Sequence, residues 1–206
     1  METENGKAFK PKNKGTKVLF QNPVIEKLSR THIAIPIAMF CLVSIGLLIY
    51  GSSNTALRWY ELVLLFVAGL LTFTLVEYLV HRYLFHMETD TELKEKIQYS
   101  FHGVHHEFPK DRDRLAMPPL VSAMLCLVLF FTFRWVLGDY AYGFLPGFVL
   151  GYAAYLFVHF AVHAFQPPRN FLKVLWVNHG IHHYKNNERA FGVSSPLWDF
   201  IFRTLP

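Results

Sequence analysis

A chain of 206 residues is the size of one domain, and 52% of its residues are hydrophobic, 20 of them phenylalanine. That composition points to a core that faces lipid as well as itself. The formal charge of +5 is mild, and no basic stripe interleaved with aromatics lies outside the apolar runs, which excludes a nucleic-acid-binding protein. Cys41 and Cys126 stand far apart inside apolar runs, which excludes a disulfide framework or a thiolate metal site and makes both core residues.

Residues 1–32 form a polar, lysine-rich N-terminal arm. No apolar segment in it leads to a small-residue cleavage site, so it is not a secretory signal peptide and is expected to be flexible. His32, alone in this arm, reads as an ordinary surface histidine. Four apolar runs follow, at residues 33–50, 59–80, 116–137 and 141–163, each near the roughly 17–25 residues that cross a bilayer as a helix. The connections GSSNTALR and GDY are short enough to pair them as two helical hairpins. The first run is the shortest and carries Pro36, which a membrane helix accepts only where the freed backbone group finds another partner. Pro118-Pro119 delays the third helix and lets the preceding loop lie along the membrane surface.

Orientation follows from the cations. Seven of the 20 Lys and Arg lie in the arm, six in the polar segment 81–115 and five in the segment 164–206, leaving only Arg58 and Arg134 at the other side. The positive-inside rule therefore puts both termini and the middle segment in the cytoplasm. The expected fold is all-α and integral to the membrane. Residues 33–206 form one membrane domain of four transmembrane helices in two hairpins, with a cytosolic helical cap.

Ten of the eleven histidines fall into four clusters: HRYLFH (His81, His86), HGVHH (His102, His105, His106), HFAVH (His159, His163) and HGIHH (His179, His182, His183). Each half of the chain supplies a pair at the end of a hairpin's second span and then a triplet. On an α-helix His159 and His163 lie about 40° apart, and His105 and His106 flank His102 by about 60° and 40°, so one triplet can serve two neighbouring ions. HRYLFH fits less well, since five residues overshoot a turn by about 140°; a π-bulge or, more simply, the helix end before the polar break at Met87–Thr91 brings His86 round. Gly103 and Gly180 hold the same place in the two triplets and would let backbone or metal approach closely. Ten imidazoles exceed what one ion takes and suit two, so the cap is expected to carry a dinuclear metal site.

A structural zinc site would contain cysteine and close at four ligands. Imidazole suits iron, zinc and copper alike. A dinuclear histidine site at a membrane surface is suited to activating dioxygen against an acyl chain, which favours iron. Haem pairs would need single histidines facing across helices, and a transporter would place its ligands at mid-membrane rather than at the helix ends.

Other residues carry two readings each. Glu77, one turn before His81, can accept the free N–H of a ligating imidazole or simply be solvated. Tyr155, four residues before His159 on the same face, can face substrate or metal, or pack. Asp111 and Asp113 can support ligands or form a charged strip at the interface. Asn186, Asn187 and Arg189 can hold a polar lipid head or form a turn. Trp198 and Phe200–Phe202 dock a closing helix onto the site or the membrane.

The four boxes together resemble the fatty acid hydroxylase superfamily of membrane non-haem di-iron enzymes. The longer stretches HGVHHEFPKDRDRLAMPP and HHYKNNERAFGVSSPLWDFIFRT are most similar to its sphingolipid fatty acid 2-hydroxylases, over roughly residues 60–206. The resemblance implies that all ten clustered histidines are metal ligands and that two iron ions, replaceable by zinc in a purified sample, serve an oxidoreductase. Its reaction would be O2-dependent hydroxylation at C2 of a long acyl chain, free or within a sphingolipid. Relatives often carry a fused b-type cytochrome before the first span. The arm here is too short for one, so the electrons are expected from a separate b-type cytochrome, or a ferredoxin with its reductase. Leu156 also departs from the pattern, where an acidic residue is expected. The expected location is the endoplasmic reticulum in a eukaryote or the inner membrane in a bacterium. Sterol or carotenoid oxidation, desaturation, and a non-catalytic metal- or lipid-binding scaffold are the competing readings.

Overall fold

Inside lipid, every backbone polar group of a spanning segment must be satisfied within the protein, and a helix does this alone. In the computed structural model, which describes residues 11–206, all regular elements among the described residues are helical. A short α1 (Pro23–Leu28) precedes α2 (Ala34–Asn54) and α3 (Trp59–Leu79), and the second long pair is α6 (Pro119–Leu137) and α7 (Ala141–Ala164). Between the pairs lie α4 (Glu92–Gln98) and α5 (Val104–Glu107); after them come α8 (Lys173–Tyr184) and α9 (Leu197–Ile201). Among the described residues, three helical stretches are long and apolar enough to cross a membrane: Ala34–Asn54, Trp59–Phe85 and the 53-residue run Arg112–Ala164, which contains both α6 and α7. Within that run Gly138 adopts φ 55°, a conformation natural to glycine, and α6 ends there.

Pro36 does not disturb α2, because it sits in the first turn, where backbone N–H groups have no intrahelical acceptor anyway. Leu42, Leu64, Phe131 and Trp135 are exposed on the outside of the long helices, as expected of helices apolar on every face.

The hairpins of the sequence are not the packing units. α7 lies at the centre against α3 and α2, whereas α2 and α3 barely touch each other. The reason is a row of glycines, Gly143, Gly147 and Gly151, on one face of α7. A Cβ at Gly147 would sit 1.9 Å from the Phe66 carbonyl oxygen, and one at Gly69 of α3 would sit 2.0 Å from that of Phe144. The two backbones are in contact, the close approach that small residues four apart permit. On the other side of α7, Phe40, Cys126, Leu145, Val149 and Leu156 form the core with α2 and α6. Leu156 is 2% exposed, so the acidic residue expected there would be buried in this core.

Where it is described, the arm packs against the rest of the chain; its residues 1–10 lie outside the described part. The Lys12 N–H donates to the Glu107 carbonyl at 2.7 Å, and its ammonium pairs with the Glu107 carboxylate at 2.6 Å. Tyr184 donates to Asn13 Oδ1 at 2.7 Å, and Arg114 donates to the Lys17 carbonyl at 2.9 Å. Glu26 receives Arg30, Arg114 and the N–H groups of Leu19 and Phe20. Burial alone would raise the Glu26 carboxyl, but these donors outweigh it and hold it at about 2. Asp111 accepts from Thr16 and lies near Arg30 and Arg114, and the Asp113 carbonyl receives Thr31 N–H at 3.0 Å. These aspartates anchor the arm and support no histidine.

Candidate metal centre

The ten clustered histidines converge into two groups of five, each able to offer nitrogen atoms within 4.8 Å of one another. The first holds His81, His86, His102, His106 and His182; the second holds His105, His159, His163, His179 and His183. Each pair stays whole and each triplet divides. On α8, and along the turns that lead from His102 into α5, the i and i+4 rings fall in the same group: His102 and His106 join their own half's pair, as do His179 and His183. The middle ring of each triplet, His105 or His182, crosses to the other group. His32 belongs to neither and accepts the Ala34 N–H at 3.3 Å. The groups adjoin, since His106 of the first stacks on His183 of the second at 4.2 Å.

Local helix geometry makes this possible. HRYLFH lies on a π-helical turn, Val80–Phe85, that ends at His86, so the π-bulge rather than the helix end alone supplies the correction. An i→i+5 repeat brings His86 round under His81. Tyr99–Gly103 is also π-helical and leads into α5, so the first triplet is not on one continuous α-helix.

The donor set fits metal ions. The Nε2 atoms lie 3.0 Å apart in His81 and His102, 2.9 Å in His102 and His106, 2.9 Å in His105 and His159, and 2.8 Å in His163 and His179. Two imidazole nitrogens about 2.0–2.1 Å from one ion and at right angles would be separated by about 2.9 Å. Nε2 of His86, His182 and His183 is buried with no hydrogen-bond partner among the described residues, a cost that an ion would remove. Burial first, then the neighbouring rings, holds His102, His105, His106, His179 and His183 well below the usual histidine range. Burial pushes His182 down to about 4 against the opposing pull of the Arg189 carbonyl. Neutral imidazole is the form that ligates.

Outside the rings, two backbone carbonyls fix orientation. His81 Nδ1–H donates to Phe191 O at 2.6 Å and His182 Nδ1–H to Arg189 O at 2.7 Å. A carbonyl only accepts, so the proton is on Nδ1 and the Nε2 lone pair points to the centre. Between these carbonyls Ala190 adopts φ 59°, an uncommon backbone state without glycine. Asp199, fully buried, accepts the N–H groups of Phe191 and Gly192 at 2.9 and 2.7 Å and the Thr204 hydroxyl at 2.7 Å. Glu77 does not reach His81. It accepts from the N–H groups of Val193 and Ser194, each at 2.8 Å, and from the Ser194 hydroxyl. Both carboxylates therefore hold the loop that orients the ligand rings. Asp199 and the two carbonyls were not singled out in the sequence: a loop's backbone acceptors carry no residue-type signal, and Asp199 is hidden in the apolar word SPLWDFIF.

Tyr155 stacks on His159, with centroids 5.4 Å apart and planes 14° from parallel. Gly180 does not answer to crowding, since an added Cβ would meet nothing within 4 Å. Arg189 donates to the carbonyls of Arg203 and Leu205, and Asn186 accepts the Glu188 N–H, so they tie the C-terminal turn. Trp198 donates to Thr74 at 3.0 Å and Phe202 stacks on Tyr78 at 5.2 Å, which docks α9 on α3. Replacing Asp199 with alanine should cost on the order of 3 kcal/mol through three stranded donors. It should also weaken metal retention in the first group about tenfold or more, with asparagine intermediate, as read by thermal unfolding and metal analysis.

Comparison with known proteins identifies the family of the chain. The family model described as fatty acid hydroxylase matches residues 66–204. The dihydroceramide fatty acyl 2-hydroxylase FAH2 of Arabidopsis thaliana is 35% identical over 156 residues, 75% of this chain and 66% of the relative. The fatty acid 2-hydroxylase of Rattus norvegicus is 37% identical over 145 residues, 68% of this chain and 39% of its own length. The ceramide very long chain fatty acid hydroxylase scs7 of Schizosaccharomyces pombe is 34% identical over 197 residues, 92% of this chain and 55% of the relative. The chain thus spans between about two fifths and two thirds of these curated relatives. A solved structure described as full-length scs7p, with only the hydroxylase domain visible, superposes with a TM-score of 0.84 at 31% identity, covering 94% of this chain and 73% of that one. With its two five-histidine groups inside the matched segment, the chain belongs to the fatty acid hydroxylase family.

Proposed function

We propose that this protein is an integral-membrane fatty acid 2-hydroxylase with four spans, α2, α3, α6 and α7, and with both termini and the histidine cap in the cytosol. The observation that carries the reading is the pair of adjoining five-histidine groups, each completed by a ring from the other half of the chain. Two iron ions would supply the reductive activation of dioxygen that no amino-acid side chain provides. Zinc fits the same donors. One oxygen atom enters the C2–H bond of the acyl chain and the other leaves as water, with two electrons and two protons consumed. The electrons come from a separate b-type cytochrome or ferredoxin system.

The chain's own residues hold the geometry. Phe191 O and Arg189 O set the tautomers of His81 and His182, Glu77 and Asp199 brace the loop that presents those carbonyls, and Tyr155 seats His159 by stacking. Rings fixed in this way need no reorganisation during the reaction. Cells expressing the chain and fed a C2-deuterated long-chain fatty acid should accumulate 2-hydroxy acyl lipid with loss of one C2 label. A His182→Ala variant should make none. Oxidation of sterols or carotenoids, or desaturation, in place of that product would overturn the assignment.

A further inference from the structure

The two histidine groups differ in what covers them. The first is closed by aromatic rings. Phe191 packs against His81, His86 and His182 at 5.7, 5.6 and 5.7 Å, and Phe85 stacks on His102 at 4.9 Å. The second meets a cavity of about 380 Å³ in which His163 and His179 form part of the wall, and no histidine of the first group lines it. At roughly 30 Å³ per water, this is space for on the order of ten waters.

We propose that this cavity is an aqueous vestibule that admits small anions to the group of His105, His159, His163, His179 and His183, and to that group alone. The inference rests on the two-metal reading above and adds a sidedness to it. Three features carry it. Gly180, between two ligands of α8, lines the cavity, and an added Cβ there would meet nothing within 4 Å; glycine leaves the way to His179 open. The wall contains Lys110 and no carboxylate, and Lys110 makes no ion pair among the described residues. An uncompensated cation in a concave wall raises the local concentration of anions. Asn13 of the arm and Tyr184 also line the cavity, and the Tyr184 hydroxyl donates to Asn13 Oδ1 at 2.7 Å, so this part of the wall is polar and neutral. The chemistry also needs such a route, because a reaction that consumes two protons and releases water must connect to solvent on a side away from an acyl chain in lipid.

Azide is the probe. The full chain, loaded with two cobalt(II) ions and held in lipid nanodiscs, is titrated while the cobalt visible bands are followed. Azide should perturb the bands of one cobalt of the two. Gly180→Leu, which fills the cavity from its wall, should weaken azide at least about tenfold with two cobalts still bound. Lys110→Glu, an exposed change that leaves the fold alone, should weaken it about tenfold at low salt and much less at high salt, while Lys110→Arg should bind azide as the parent does. An unchanged azide affinity in Lys110→Glu, or an equal response of both cobalts, overturns the vestibule. Unchanged affinity in a fully loaded Gly180→Leu does the same. Failure of the parent chain to hold two cobalts would instead sink the two-metal reading, and the vestibule with it.

Discussion

Replacing His105 with alanine should empty the metal group built by the other half of the chain and leave its own half's group filled. His105 lies beside His106 in sequence, yet its ring joins His159, His163, His179 and His183, while His102 and His106 serve the first group. His182→Ala should show the mirror effect and weaken the His81, His86, His102, His106 group. Loss of a residue that only orients a ligand costs roughly 10–100-fold in metal affinity, so loss of a ligand itself should cost on the order of a hundredfold or more. Because the proposed reaction needs both ions, product formation should fall below detection in either variant. Metal analysis after graded chelation checks the pattern: His105→Ala should retain one tightly held ion, and His102→Ala should retain the opposite one. If His105→Ala and His102→Ala strip the same ion, the crossed arrangement is wrong.

Gly147→Ala, a change of one methyl group, should be among the most damaging substitutions in the molecule. The added Cβ would lie 1.9 Å from the Phe66 carbonyl oxygen and 2.7 Å from its carbon, well inside any tolerable contact, and the clash is with backbone that no rotamer change can move. Overpacking in a core typically costs about 1–3 kcal/mol, occasionally more; a backbone clash between two central helices should reach the top of that range. α3 runs into the π-helical turn that carries His81, and α7 carries His159 and His163, so forcing the two helices apart should also lower metal content. Gly46→Ala on α2 is the internal control, because its Cβ would meet nothing within 4 Å. Thermal unfolding in detergent, with bound metal measured alongside, should show a large fall for Gly147→Ala and none for Gly46→Ala.

The parts that were readable in the sequence are those whose signal is local. Lipid demands an unbroken apolar helix, so the long helices fall at the expected residues: α7 runs Ala141–Ala164 against an expected 141–163, and α3 begins at Trp59 as expected. The histidine boxes and the long stretches around them carried the family resemblance. What misled was inference from spacing alone. Glu77 has the i−4 relation to His81 but turns to Val193 and Ser194, 116 and 117 residues away. The arm looks like solvent-seeking chain, but its Lys12 is matched by Glu107 and its Thr16 hydroxyl donates to Asp111, each 95 residues away.

By itself, then, the sequence determined that this is a helical membrane protein with ten clustered histidines, because apolar length and residue type are properties of each segment. Only the tertiary structure decided that α7 packs centrally against α3 and α2, that each triplet divides between two groups, and that backbone carbonyls at Arg189 and Phe191 aim two of the rings. Those outcomes depend on how α5, α8 and the C-terminal loop are placed relative to one another. That placement follows from glycine contacts and buried hydrogen bonds between residues far apart in the chain, which no local pattern encodes.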